Sequence, residues 1–363
     1  MDSHSDTRAA QIADFLAQAG WAGIELDWLG QDASTRRYGR LDNGTKTALL
    51  MDAPRIEAAP CPPDADEATR NQMGWNAQSR LAASRVDAFV AVGEHLRARG
   101  FSAPEIYAHD AETGLALLED FGTGFEFARL IERGAEDEVS LYTAAGALLA
   151  ELHAEPAPTK LADWPILDYD ALALRVSADL FPQWLPQLDD RMQADDRMEA
   201  RWTAARDELI SQAMSFPREF ILRDFHAENL LWLPDRSGHA RIGLLDFQDA
   251  INGWDGWTMA MLVQDARRTV SEEARDAAIS AYIAGTGKSR DDFEARLAVL
   301  GTLNALRITG LFARLPVRDG KQRYLDFMPR QQWLLAQNLA HPACASMANF
   351  VRTYAPFIFE AQT

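Results

Sequence analysis

The sequence predicts an α+β protein of two lobes, a small β-rich first third followed by a larger, mainly helical part, and three observations predict it. At 363 residues the chain exceeds the roughly 250–300 residues over which a single hydrophobic core usually holds together. Short apolar runs punctuated by turn residues cluster before residue 121. Helical apolar spacing dominates from about residue 136 onward. Strands first and helices afterwards is an α+β order, and it divides the chain into a lobe of residues 1–121 and a lobe of residues 122–363, meeting near 118–124.

Each element has a local reason. Residues 7–19 (TRAAQIADFLAQA) space their apolar side chains as a helix does and stop at Gly20, a residue suited to the left-handed cap. IELDWLG, RRYGRLD and KTALLMDAP follow as three strands, the last two joined through Asn43-Gly44, whose tolerance of positive φ suits a tight hairpin. A Pro, Ala and Asp mixture from Arg55 to about Arg70 reads as a surface insertion. VDAFVAVGEHLRARG is an amphipathic helix closed by Gly100, and APEIYAHD with LALLED makes a second hairpin around AETG.

Composition excludes several function classes. The start MDSHSDTRAA lacks the basic and apolar regions of a signal peptide, and no run of eighteen apolar residues occurs, so a cytoplasmic protein without a membrane partner is expected. A net charge of -18 repels phosphodiester backbones, which argues against nucleic acid as a partner. Cys61 and Cys344 are too few for a disulfide framework or a cysteine-based zinc site. Lys46, Lys160, Lys288 and Lys321 are the only lysines, so tasks that need a cation fall mostly to arginine.

The stretch LRDFHAENLLWL, followed by RIGLLDFQDA, sets three polar side chains beside apolar runs. LLWL and RIGLLDF, separated by PDRSGHA, read as an antiparallel hairpin, in which the start of one strand lies beside the end of the other. Asn229 and Asp246 then fall on neighbouring strands about 4.8 Å apart. With Asp224 five residues before Asn229, an amide oxygen and two carboxylates form the oxygen-rich set that Mg²⁺ prefers.

R-D-x-x-x-x-N, then a hairpin, then D-F resembles the catalytic segment of the protein-kinase-like fold. His226 inside D-F-H-A-E-N is similar to the D-x-H-x-x-N of aminoglycoside phosphotransferases. LRDFHAENLLWLPD, GLLDFQDA, FARLPVRDGKQRYLDFMPR and NLAHPA look like the bacterial N-acetylmuramate/N-acetylglucosamine anomeric kinases of cell-wall recycling, a likeness spanning most of residues 20–345.

The resemblance implies an ATP- and Mg²⁺-dependent sugar kinase, with a small amino sugar as its partner. Asp224 would orient the acceptor hydroxyl and take its proton, while Asn229 and Asp246 hold Mg²⁺. GLALLEDFG is similar to an adenine-reading hinge, with the Glu119 carbonyl and the Phe121 amide as its two hydrogen-bonding groups. QDASTRRYGR stands where the phosphate-covering loop belongs, and Ala33, Ser34 and Thr35 would present backbone N–H groups, with Arg36 and Arg37 adding charge. The third strand departs from the pattern, because Met51 or Asp52 stands where a lysine is expected. Lys46, Arg37, Arg55 or the magnesium itself is left to neutralise phosphate, and Glu94 is a candidate ion-pair partner. Leu222 replaces a histidine, and Trp257-Thr258 a Tyr-Asp pair, that normally buttress the catalytic loop; a non-catalytic nucleotide-binding regulator therefore stays open. For the acceptor, Trp254 and Trp257 offer aromatic faces to a pyranose, and Arg314, Arg318, Lys321 and Arg323 are candidates for a lactyl carboxylate. An aminoglycoside or choline is the alternative acceptor.

Two tempting signals are set aside. GTGKS at 285–289 lacks the earlier glycine of a phosphate-binding loop, since Tyr282 is there, and reads as a helix cap with Ser289 opening the next helix. His153 lies on an apolar helix and is expected to be a core residue.

Overall fold

The computed structural model describes residues 3–30, 36–55, 65–73, 85–192 and 194–360. In chain order the first elements are α1 (Ser3–Gln18), β1 (Leu26–Trp28), β2 (Arg37–Asp42), β3 (Thr47–Asp52), α2 (Glu67–Met73), α3 (Val86–Ala98), β4 (Ile106–Asp110), β5 (Leu115–Glu119) and α4 (Phe127–Glu132). After α5 (Glu138–Leu152) come β6 (Lys160–Leu161), β7 (Trp164–Pro165), α6 (Ala171–Ala178), α7 (Leu180–Leu188) and α8 (Met198–Met214). The catalytic segment follows as β8 (Arg218–Ile221), β9 (Leu230–Trp232), β10 (Ile242–Leu244) and β11 (Ile251–Trp254). Helices α9 (Trp257–Val263), α10 (Glu272–Thr286), α11 (Arg290–Asp319), α12 (Met328–Leu339) and α13 (Ala345–Tyr354) complete it. No described helix is long and apolar enough to cross a membrane.

The chain forms two compact units, one of Met1–Glu136, Pro158–Ile166 and Ala227–Ala250, the other of Asp137–Ala157, Leu167–His226 and Ile251–Thr363. A single cut at 121/122 therefore needs correcting, because the hairpin β9–β10 belongs with the first unit. Backbone bonds explain this: Trp232 donates to the Phe125 carbonyl and Leu244 to the Ser102 carbonyl, both at 2.8 Å.

The first unit is built on an antiparallel sheet of order β1-β2-β3-β5-β4. The Asn43-Gly44 turn forms as its residues dictate: Gly44 has φ +83°, and Asn43 Oδ1 accepts from the Thr45 and Lys46 amides. Ile12, Phe15 and Leu16 of α1 bury against Leu41, Ala48, Leu50, Leu115 and Leu117, so the first helix closes one face of the sheet. The expected surface insertion carries the short helix α2 within its described part, while Cys61 lies outside the described residues. Helix α3 packs on the β9–β10 segment through Phe89, whose ring lies 4.8 Å from that of Phe247. Gly93 makes the approach possible, since a Cβ there would stand 3.3 Å from the Phe247 ring.

The second unit is helical around α11. Helices α5 and α10 touch backbone to backbone because Gly146 has no side chain; a Cβ there would fall 2.1 Å from the Ala278 carbonyl oxygen. GTGKS is a cap and turn as expected. Gly287 ends α10 at φ +69°, and the Ser289 hydroxyl accepts from the Asp292 amide at the start of α11. Cys344 is buried against Thr302, and burial pushes its thiol up to about 11.

Candidate active site

The hairpin β9–β10 lies in the first unit, and its register follows from strand pairing. Leu244 pairs with Leu230, and one further bond, Leu245 N–H to the Asn229 carbonyl at 3.0 Å, sets Asn229 opposite Leu245. Asp246 is the next residue, so the backbone brings the ends of the two strands together, as the two apolar runs and the turn between them implied. Asp246 adopts φ +52°, a left-handed conformation that costs a non-glycine residue about 1–2 kcal/mol. Such strain persists where the surroundings over-determine it, and it marks functional positions. The Asp246 carboxylate accepts from Gln248 Nε2 at 2.9 Å and forms an ion pair with Arg36. Gln248 is only 2% exposed, and its Oε1 finds no hydrogen-bond partner among the described residues. An amide oxygen, a carboxylate and an unmatched buried acceptor are hard oxygen donors, a set that fits a divalent cation such as Mg²⁺.

The expected hinge closes β5. Glu119 ends the strand and pairs with Arg236, while the Asp120 carboxylate accepts from Arg40 and from the Gly122 amide at 2.9 Å. Phe121 lies against Gly243 of β10 and under the Arg236 guanidinium, so side chains fix the path of the backbone there.

The expected phosphate-side cations are placed otherwise, and two need correcting. Lys46 sits in the β2–β3 turn with its ammonium 3.4 Å over the Tyr107 ring. That turn is at the far end of the hairpin from Arg37, about 17 Å away for five steps of strand rise. Arg37 is bonded to Asp52 at 2.7 Å and stacked over Trp28 at 3.9 Å. Asp52, wholly buried where a lysine was expected, also accepts from Arg8 of α1. Arg37 therefore holds the sheet together. Arg55 pairs with Glu112, and Glu94 lies exposed on α3. Ser34, with Ala33 and Thr35, lies outside the described residues.

Asp224 belongs to the second unit, on the loop that leaves β8. Strand β8 pairs with β11, Ile221 opposite Ile251, and the loop is pinned at once by the Leu222 amide donating to Thr258 Oγ1 at 3.2 Å. Thr258, wholly buried, thus supplies the buttress whose loss the Tyr-Asp replacement seemed to imply. The His226 amide donates to the Asp224 carbonyl at 3.2 Å, and Arg267 meets the His226 ring at 3.1 Å. Below the loop, Lys288 of the GTGKS turn bonds Asp255 at 3.0 Å, Glu219 at 3.2 Å and the Tyr282 hydroxyl at 2.9 Å. His153, Glu219 and Asp255 cluster as metal ligands would, but the lysine ammonium already provides a cation there, and His153 Nδ1 bonds the Tyr282 hydroxyl at 2.9 Å. Burial nonetheless holds the Glu219 carboxyl above its ordinary value.

The acceptor-side expectations are corrected more sharply. Trp254 and Trp257 are 0% and 2% exposed and cannot present a face to a sugar. They pack under Tyr169, at 5.4 and 5.0 Å between ring centroids, and Tyr169 in turn carries Arg223 at 5.7 Å from its ring. Arg314 lies near Asp319 at the far end of α11 with Arg318, which bonds that carboxylate at 2.6 Å. Arg307, seven residues earlier on the same helix and so about 10 Å nearer its start, was missed. Its guanidinium reaches Asn304 Oδ1 at 3.1 and 2.8 Å and no carboxylate hydrogen-bonds it among the described residues. Burial depresses its pKa, and it lies within electrostatic reach of Tyr169, Arg223 and Asp224. The signal was a lone arginine inside the apolar helical run LNALRITGLF.

Residues 28–296 match the model of the phosphotransferase enzyme family, and the chain belongs to that family. A kinase of Caulobacter vibrioides named N-acetylmuramate/N-acetylglucosamine kinase is 45% identical over 97% of this chain and 98% of its own length. A Pseudomonas aeruginosa protein of the same name is 31% identical, covering 88% of this chain and 86% of that relative. Among solved structures, a choline/ethanolamine kinase family protein of Mesorhizobium loti superposes with a TM-score of 0.58 at 15% identity, over 96% of this chain and 99% of that one. The protein-kinase-like fold expected from the catalytic segment is thus the fold of the molecule, and the chain is a phosphotransferase with a hydroxyl acceptor.

Proposed function

We propose that this chain is an ATP- and Mg²⁺-dependent sugar kinase acting on the anomeric hydroxyl of N-acetylmuramate and N-acetylglucosamine, the sugars of peptidoglycan recycling in the cytoplasm. The observation that carries this reading is the 45% identity, over nearly the whole of both chains, to a kinase bearing that name.

Phosphoryl transfer is mostly positioning and charge neutralisation. Asp224 orients the acceptor hydroxyl and receives its proton as the oxygen bonds to the γ-phosphorus; the bond to the bridging oxygen breaks and ADP departs. Asn229 and Asp246 would hold Mg²⁺, which when bound neutralises the phosphate oxygens. The strained backbone at Asp246 supports this role, since the carboxylate is aimed before any ligand arrives. Glu119 and Phe121 read the adenine by their backbone groups. Arg307 is the cation best suited to a lactyl carboxylate, because no scaffold acid hydrogen-bonds it among the described residues.

The test is direct. Protein incubated with ATP and Mg²⁺ should convert each sugar to its 1-phosphate, read by phosphorus and proton NMR. Transfer confined to an aminoglycoside or choline would replace the acceptor, and tight ATP binding with no transfer to any acceptor would leave a regulator instead.

A further inference from the structure

A triphosphate needs protein cations, and in related folds a lysine of the third strand provides one. Here that strand offers Asp52, which is wholly buried and already engages Arg8 and Arg37. Lys46 lies over Tyr107, Arg40 is bonded to Asp120 at 2.6 Å and Arg55 to Glu112 at 2.6 Å. Each of these cations is matched to a group of the scaffold. Arg36 pairs with the proposed metal ligand Asp246.

Arg36 precedes β2, is 8% exposed, and reaches the same Asp246 oxygen that Gln248 donates to. A guanidinium is always charged, so a cation stands against this carboxylate. A carboxylate oxygen occupied by two N–H donors is poorly open to a small cation that demands near-octahedral oxygen contacts. A divalent ion arriving at this carboxylate competes with the guanidinium, since two cations repel on one acid.

We propose that Arg36 is the phosphate-facing cation of this enzyme, parked on Asp246 in the resting protein and transferred to the nucleotide when a divalent ion claims that carboxylate. The inference rests on the kinase reading above. It makes the pair a counter-ion exchange: the acid trades a guanidinium for a metal, and the guanidinium trades the acid for phosphate oxygens. Binding of metal and of nucleotide are then coupled through one side chain, each favouring the other.

Two measurements on the full chain separate this from a purely structural role. Calorimetry with a non-hydrolysable ATP analogue and saturating Mg²⁺ should show affinity falling about 10- to 100-fold in Arg36→Ala, the range expected for losing a charge-assisted hydrogen bond, with Arg36→Lys recovering much of it. Titration of Mn²⁺ without nucleotide, followed by the electron paramagnetic resonance of the free ion, should show binding several-fold tighter in Arg36→Ala and in Arg36→Gln than in the parent. A damaged fold weakens both, whereas exchange predicts opposite signs. Arg36→Gln, which keeps a donor for Asp246 without the charge, decides the matter if the alanine variant does not fold. Unchanged analogue affinity, or Mn²⁺ binding that is weaker or unaltered in a variant with parental melting, overturns the proposal while leaving the kinase reading intact. A parent protein that binds no nucleotide overturns both.

Discussion

The two units handle buried charge in different ways. In the first, the arginines about the sheet, the hinge and Asp246 are matched by acids: Arg8 and Arg37 with Asp52, Arg40 with Asp120, Arg236 with Glu119, Arg36 with Asp246. In the second, the base of the catalytic loop is matched in the same manner by Lys288 and Arg296 on Asp255, but Arg307 hydrogen-bonds only an amide oxygen among the described residues. The difference teaches where a ligand's charge is anticipated. A unit in which acids and bases are balanced can accept a metal and a nucleotide, whose charges largely offset each other. A half-buried guanidinium that no acid hydrogen-bonds among the described residues favours an anion.

This contrast can be broken or sharpened by substitution, beginning with the group expected to matter most. Asp224→Asn should reduce turnover by about 10²- to 10⁴-fold and leave nucleotide affinity within a few fold. Near-normal turnover would remove Asp224 from the proposed chemistry. Trp257→Ala should cost about 3–5 kcal/mol of stability, as loss of a large buried aromatic does, while folded protein keeps its sugar KM within a few fold. The reverse pattern in melting and steady-state kinetics, parental stability with a much raised KM, would restore the tryptophan as a sugar platform. Arg307→Ala should raise KM for N-acetylmuramate by about 10- to 100-fold and change N-acetylglucosamine little, because only the former carries a carboxylate. Equal losses for both sugars would make Arg307 a general scaffold residue and erase the contrast. Thr258→Val leaves the Leu222 amide without its acceptor and should cost about 1–3 kcal/mol in a urea melt, with nucleotide affinity unmoved.

Much of this was legible because it is local. The Asn43-Gly44 hairpin follows from turn chemistry, and the pairing of Asn229 with the strand that ends before Asp246 follows from two short apolar runs and one turn. The pairing of β8 with β11 was not, since nothing between Ile221 and Ile251 announces that the strands meet. Arg36 and Arg37 were indistinguishable as letters. Adjacent residues at a strand point to opposite sides, so one reaches Asp246 and the other Asp52, and only the start of β2 fixes which. Lys46, Arg37 and Arg55 were equal candidates as letters, and only the folded sheet shows Lys46 over Tyr107, Arg37 on Asp52 and Arg55 on Glu112. For Trp254, Trp257 and Arg307 the residue type was visible but its depth was not, because burial depends on helices and loops far away in sequence.

The Arg8–Asp52 bond ties the opening helix to the middle of the sheet. Unlatching that helix, for instance by Arg8→Ala, would strip one of two counter-charges from an acid with no access to water, so a change far in sequence from the catalytic segment would register in the interior of the sheet.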